Sequence, residues 1–164
     1  MKIQFSAVII FLLITNVLLP QEIYKISSTY QLDSLKNVSK GNIILFNFWA
    51  TWCHPCIEEF PDIVKLYNNN KKNDFRVIFI SLDFPGELES KVKPFLKSNN
   101  VDFPSFFGDF KKPEELMDYF DKNWDGAIPA TFIFDKNGGL KYKYIGSRSY
   151  EKFEKELLII LGQE

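Results

Sequence analysis

Two cysteines stand in this 164-residue chain, and they stand three positions apart, in the run Trp52-Cys53-His54-Pro55-Cys56. A cysteine attacks a disulfide only as its thiolate, and the start of a helix favours that anion through unpaired backbone N–H groups and the helix dipole. Behind the pair, Phe60, Ile63, Val64 and Tyr67 recur at three- and four-residue spacing, which predicts a helix beginning near the cysteines. Cys53 then occupies the helix start as the attacking thiol. Cys56 lies one turn deeper, near enough to close a disulfide and to resolve a mixed one. In such surroundings a thiol that ordinarily titrates near ~8.5 falls to about 3.5 to 7.5. A bridge closing so short a loop restrains little of the unfolded chain, so the pair reads as chemistry rather than as a structural staple.

The neighbouring residues refine that reading. Pro55 suits a first helical turn, where its missing N–H costs nothing, and a protonated His54 beside the thiolate would stabilise it. The rival use of His54 is as a zinc ligand, but the chain has no second histidine, so two Cys and one His would need a carboxylate or a partner to complete four-coordination. Glu59, three residues past Cys56, would lie one turn along the same helix and could exchange protons there, or it is a solvated charge beside Glu58. Pro129 precedes an apolar run and is either a cis proline at a tight turn or a trans proline opening a strand. Spacing leaves both of these pairs open.

The elements that must position these residues alternate strand and helix. Ile43 to Trp49 is almost wholly apolar and rich in Ile and Phe, the pattern of a strand buried on both faces. Phe75 to Leu82 repeats it, and the polar stretch Asn68 to Asp74 between them reads as a loop. Glu87 to Asn99 has helical character, with Val92, Phe95 and Leu96 on one side and Pro94 starting or kinking its regular part. A short strand is expected over Phe103 to Phe107 and a short helix over Pro113 to Phe120. Ala130 to Asp135 and Leu140 to Ile145 flank Lys136-Asn137-Gly138-Gly139, a hairpin signal, and Ser149 to Leu161 closes as an amphipathic helix. The order implies an α/β fold with a mixed central sheet and helices on both faces. In open sheets of this kind chemistry gathers at the carboxyl ends of the strands, where Cys53 follows Trp49.

Composition bounds the rest. Residues 1–20 carry one lysine, Lys2, and then an apolar run from Phe5 to Leu19 broken by Ser6, Thr15 and Asn16. This reads as an export signal, either removed or kept as an N-terminal membrane anchor, with residues 21–164 as one domain outside the cytoplasm. The segment contains no cysteine, which excludes lipid attachment through one. Hydrophobic residues make up 46% of the chain, with seventeen Phe, enough apolar area to offset the entropy of ordering one domain. A net charge of −1 with both signs interspersed offers no basic stripe for nucleic acid. Exported small domains spend their cysteines on several bridges; a lone close pair again points to redox use.

The segment IILFNFWATWCHPCIEEFP, Ile43 to Pro61, resembles the active-site segment of the TlpA/ResA-like branch of thioredoxin-fold thiol-disulfide oxidoreductases. GAIPATFIFDKNG, Gly126 to Gly138, is similar to that family's cis-proline loop and hairpin, and the two with the spacing between them cover about 100 residues. The resemblance implies a thioredoxin-like fold with an inserted helix and strand before the proline loop. It implies Cys53 as attacking thiol, Cys56 as resolving thiol and Glu59 as a proton-exchanging glutamate. It further implies a substrate-binding edge of Trp52, His54, Pro55, Ile128 and cis Pro129. Asn47 stands where cytoplasmic thioredoxins carry a buried aspartate, and Phe107 to Ala127 matches no motif. The activity implied is dithiol–disulfide exchange with protein substrates through the Cys53–Cys56 couple, without other cofactor or metal. The expected form is a monomeric reductant, as in cytochrome c maturation, recharged by a membrane or extracytoplasmic electron donor. An oxidant or a peroxidase of the same fold and a CxxC metal-delivery module are the alternatives.

Overall fold

A computed structural model describes residues 22–163; the export segment read from the sequence lies outside them. The strand expected at Ile43–Trp49 forms there as β2 and is buried at every position. Its side chains divide the core by alternation: Ile43, Leu45 and Trp49 join one apolar cluster, and Ile44, Phe46 and Phe48 the other. Both faces of such a strand must therefore be covered by helices.

The flanking elements supply that cover. Strand β1 (Ile23–Ile26) and helix α1 (Thr29–Val38) precede β2; helix α2 (His54–Asn70) and strand β3 (Phe75–Ser81) follow it. A 3-10 turn at Pro85–Glu87 and a π-helical turn at Leu88–Val92 then lead into α3 (Lys93–Ser98), so Pro94 sits in the first turn of the regular helix. Strand β4 (Ser105–Gly108), helix α4 (Pro113–Phe120), strands β5 (Ala130–Phe134) and β6 (Leu140–Ile145) and helix α5 (Tyr150–Leu161) complete the order. The sheet runs β1-β4-β3-β2-β5-β6. Strands β1 to β4 pair in parallel, and β5 and β6 are antiparallel to their neighbours. Phe60 and Ile63 of α2, Leu96 of α3 and Phe153 and Leu157 of α5 pack on one face. Leu32 of α1 and Leu116 and Phe120 of α4 pack on the other. The fold is thioredoxin-like, with one helix and one strand, α3 and β4, inserted between β3 and α4.

One expectation is corrected. The polar run at residues 68–74 is a loop only from Lys71 onward, because α2 continues through Asn70, whose side-chain amide donates to the Leu66 carbonyl at 3.0 Å. Elements β1 and α1 carry no strong apolar pattern and went unread. In β1 only Ile26 is buried, and in α1 only Leu32. The motif-free segment Phe107 to Ala127 has a structural use: the Phe120 ring meets Phe46 and Phe48 edge-on at 5.1 and 4.8 Å, and Trp124 lies 4.8 Å from Phe48. Burying each such ring stabilises the fold by about 1.5–3 kcal/mol. Among the described residues no helix is long and apolar enough to cross a membrane.

Candidate active site

The chain leaves β2 at Trp49, turns through Ala50 and Thr51, and enters α2 at Cys53. The turn closes by a bond from Cys53 N–H to the Ala50 carbonyl at 3.1 Å. Cys53 is the N-cap residue of α2 and Pro55 lies in the first turn, so the unpaired amides of the helix end and its dipole face the first sulfur. Cys53 and Cys56 are joined as a disulfide. Their exposures, 6% and 2%, make Cys53 the more open of the pair. Across from it, the Ile128–Pro129 bond is cis, which decides the question that spacing had left open. The Ile128 carbonyl oxygen lies 3.7 Å from Cys53 Sγ. The Pro129 carbonyl is already engaged by the Gly146 N–H at 2.8 Å.

Glu59 is where the structure departs furthest from a bland reading. It is no surface charge: it is 4% exposed, and both oxygens accept hydrogen bonds, Oε1 from Asn47 Nδ2 at 3.0 Å and Oε2 from the Arg148 backbone N–H at 2.6 Å. Asn47 also donates to Thr131 Oγ1 at 3.0 Å, across the β2–β5 pair where Asn47 and Thr131 are partners in register. Burial pushes the Glu59 carboxyl from its usual 4.5 up to about 7, against the opposing pull of the Arg148 N–H, the Asn47 amide and the Arg148 charge. A buried carboxyl that titrates near neutrality, one helical turn from Cys56, can take or give a proton at working pH. Asn47 of β2 thus holds a buried glutamate from the adjacent helix α2.

The other residues of the expected binding edge are placed unevenly. Trp52 is 55% exposed beside Cys53. The His54 ring is 82% exposed and its Nδ1 lies 3.6 Å from Glu58 Oε1, so its near neighbour is that carboxylate, at the outer rim. Among the described residues no cluster of three or more metal-binding side chains occurs. Two groups that sequence reasoning missed support the site. Arg148 is one, acting through a backbone donor 89 residues away from Glu59. Asp83 is the other: it is buried, and its carboxylate accepts from the Thr51 N–H at 3.0 Å, from the Thr51 hydroxyl, and from Ser81 Oγ at 2.7 Å. The order Ser81-Leu82-Asp83 at the end of an apolar strand was the only signal of it in the sequence.

The profile of the AhpC/TSA family matches residues 22–143. This chain belongs to the AhpC/TSA family. Among its relatives, a thiol-disulfide oxidoreductase ResA of Bacillus cereus is 32% identical over 115 residues, covering 70% of this chain and 61% of that protein. ResA of Geobacillus kaustophilus is 29% identical over 118 residues, covering 72% and 63%. The chain therefore matches somewhat under two thirds of the length of these relatives. In structure it is similar to a thioredoxin-family thiol:disulfide interchange protein from Chlorobium tepidum TLS, with TM-score 0.64 and 27% identity over 77% of this chain and 85% of that one. The fold is shared also with StoA from Bacillus subtilis, at TM-score 0.55 and 24% identity over 71% and 82% of the two chains.

Proposed function

We propose that this protein is an extracytoplasmic thiol-disulfide oxidoreductase that reduces disulfides in protein substrates. The observation that carries the reading is the Cys53–Cys56 disulfide at the N-terminus of α2, facing the Ile128–Pro129 loop on one side and backed by a buried Glu59 one turn further on. The names of the relatives and the apolar segment at residues 5–19 support it. In this reading residues 1–20 export or anchor the chain, and residues 21–164 work outside the cytoplasm as a monomer. A membrane or extracytoplasmic donor recharges the couple, as cytochrome c maturation requires of its thiol reductants.

In the reduced protein, the Cys53 thiolate attacks one sulfur of the substrate disulfide. That S–S bond breaks, a mixed disulfide forms, and the departing substrate sulfur leaves as a thiolate that takes a proton from solvent. Trp52, Pro55 and the Ile128–Pro129 loop hold the substrate backbone against the site. The Glu59 carboxylate then accepts the proton of the Cys56 thiol. The new thiolate attacks Cys53 Sγ, breaks the mixed disulfide and releases the second substrate sulfur. Two electrons have passed from the dithiol to the substrate, and the protein is left as its disulfide.

Turnover of a cystine-containing peptide, with dithiothreitol recharging the protein, tests this. The wild type is expected to accelerate reduction, Cys53→Ser to fall to the uncatalysed rate, and Cys56→Ser to accumulate a one-to-one mixed disulfide with the peptide visible by mass spectrometry. Equal behaviour of wild type and Cys53→Ser would remove the proposal.

A further inference from the structure

The Asp83 carboxylate ties two loops together. It takes both the N–H and the hydroxyl of Thr51, in the turn before Cys53, and the hydroxyl of Ser81 at the end of β3. Beside it the Leu82 N–H donates to the Trp49 carbonyl at 2.8 Å, so the ladder between β2 and β3 runs on into both loops. The next residue along each tied loop is a large aromatic turned to solvent: Trp52, and Phe84 at 67% exposure. The Phe84 backbone is held at both ends, its carbonyl accepting from the Glu87 N–H at 2.8 Å and its own N–H donating to Glu87 Oε2 at 3.3 Å. Most of the aromatic side chains in this chain serve the core, whereas Phe84 contributes to neither apolar cluster.

Resting on the exchange reading above, we infer that Phe84 forms with Trp52 an apolar rim that seats a large apolar side chain next to the substrate cysteine, making Phe84 a specificity-determining residue. The occupant is the extended substrate polypeptide itself, because Trp52 is the immediate neighbour of Cys53, the Asp83 tie joins the loop that carries Phe84 to the turn that carries Trp52, and the Ile128 carbonyl bounds the sulfur from the β5 side. An aromatic ring offers about 150–250 Å² for contact. A backbone fixed before binding gives up little conformational entropy when its side chains are covered, and the Asp83 tie fixes the backbone of these two loops. The near-zero net charge leaves electrostatic steering a small share in choosing the partner.

The test uses two disulfide-linked peptide dimers, identical except that leucine or serine precedes the cysteine, and reads kcat/KM for their reduction by the full chain with dithiothreitol as electron source. The wild type is expected to prefer the leucine peptide by about tenfold, the scale of one buried aliphatic side chain. Phe84→Ala should bring the ratio to within about twofold of one, and Phe84→Leu should keep most of it. A wild-type ratio near one, or a ratio that Phe84→Ala leaves unchanged, overturns the inference while the exchange activity stands. Failure of the wild type to reduce either peptide instead removes the exchange reading, and this inference with it.

Discussion

At the scale of single residues, proton exchange through Glu59 carries a pH dependence, because its carboxyl is buried and is held by a backbone donor contributed from position 148, which sequence spacing does not display. Glu59→Gln removes the carboxyl that takes the Cys56 proton, so the resolving step is expected to slow by about 10²-fold or more and to lose its dependence on a group titrating near pH 7; stopped-flow measurement of mixed-disulfide decay between pH 5 and 9 reads this. Asn47→Leu withdraws a hydrogen bond that favours the ionised form. The carboxyl must then titrate higher, so the midpoint of the same profile should move upward. A downward shift would mean that Asn47 acts on the thiols by another route.

At the scale of elements, β2, β3, α2 and the β5–β6 hairpin were foreseen because their apolar patterns are dense and their turns carry Gly, Pro and Asn. The edge strand β1 and helix α1 escaped because each buries so little: Tyr24 and Lys25 face outward in β1, and one leucine anchors α1. The same limit hid the link between the turn at Thr51 and the end of β3, since a lone aspartate after a strand resembles any loop residue. Asp83→Ala leaves the Thr51 N–H and Ser81 hydroxyl without their acceptor. It is expected to cost about 2–3 kcal/mol in urea unfolding, with Asp83→Asn costing less because one acceptor oxygen remains. A loss within about 0.5 kcal/mol, the usual range for surface changes, would show that the two loops hold their places without the tie.

At the scale of the whole molecule, the site affects stability through pH. The Glu59 carboxyl titrates at about 7 in the fold and near 4.5 when free, so between these values the native state holds a proton that the unfolded chain has released. Stability from this group is therefore full below 4.5, falls as pH rises towards 7 and is level above. The span of that shift is on the order of 3 kcal/mol. Glu156, which burial pushes up to about 7, adds a change of the same sign. Urea unfolding at pH 5 and pH 8 should show the wild type losing more stability across the interval than Glu59→Gln, with Glu156 common to both; equal losses would contradict the buried carboxyl. The account as a whole rests on Cys53 and Cys56 being a working redox couple, and the most direct measurement is their reduction potential, by equilibration in glutathione or dithiothreitol buffers followed by alkylation of free thiols. A single reversible two-electron transition well below about −200 mV is the predicted result for a reductant. A value near about −120 mV would make the protein an oxidant, and the absence of any reversible transition would contradict the exchange mechanism itself.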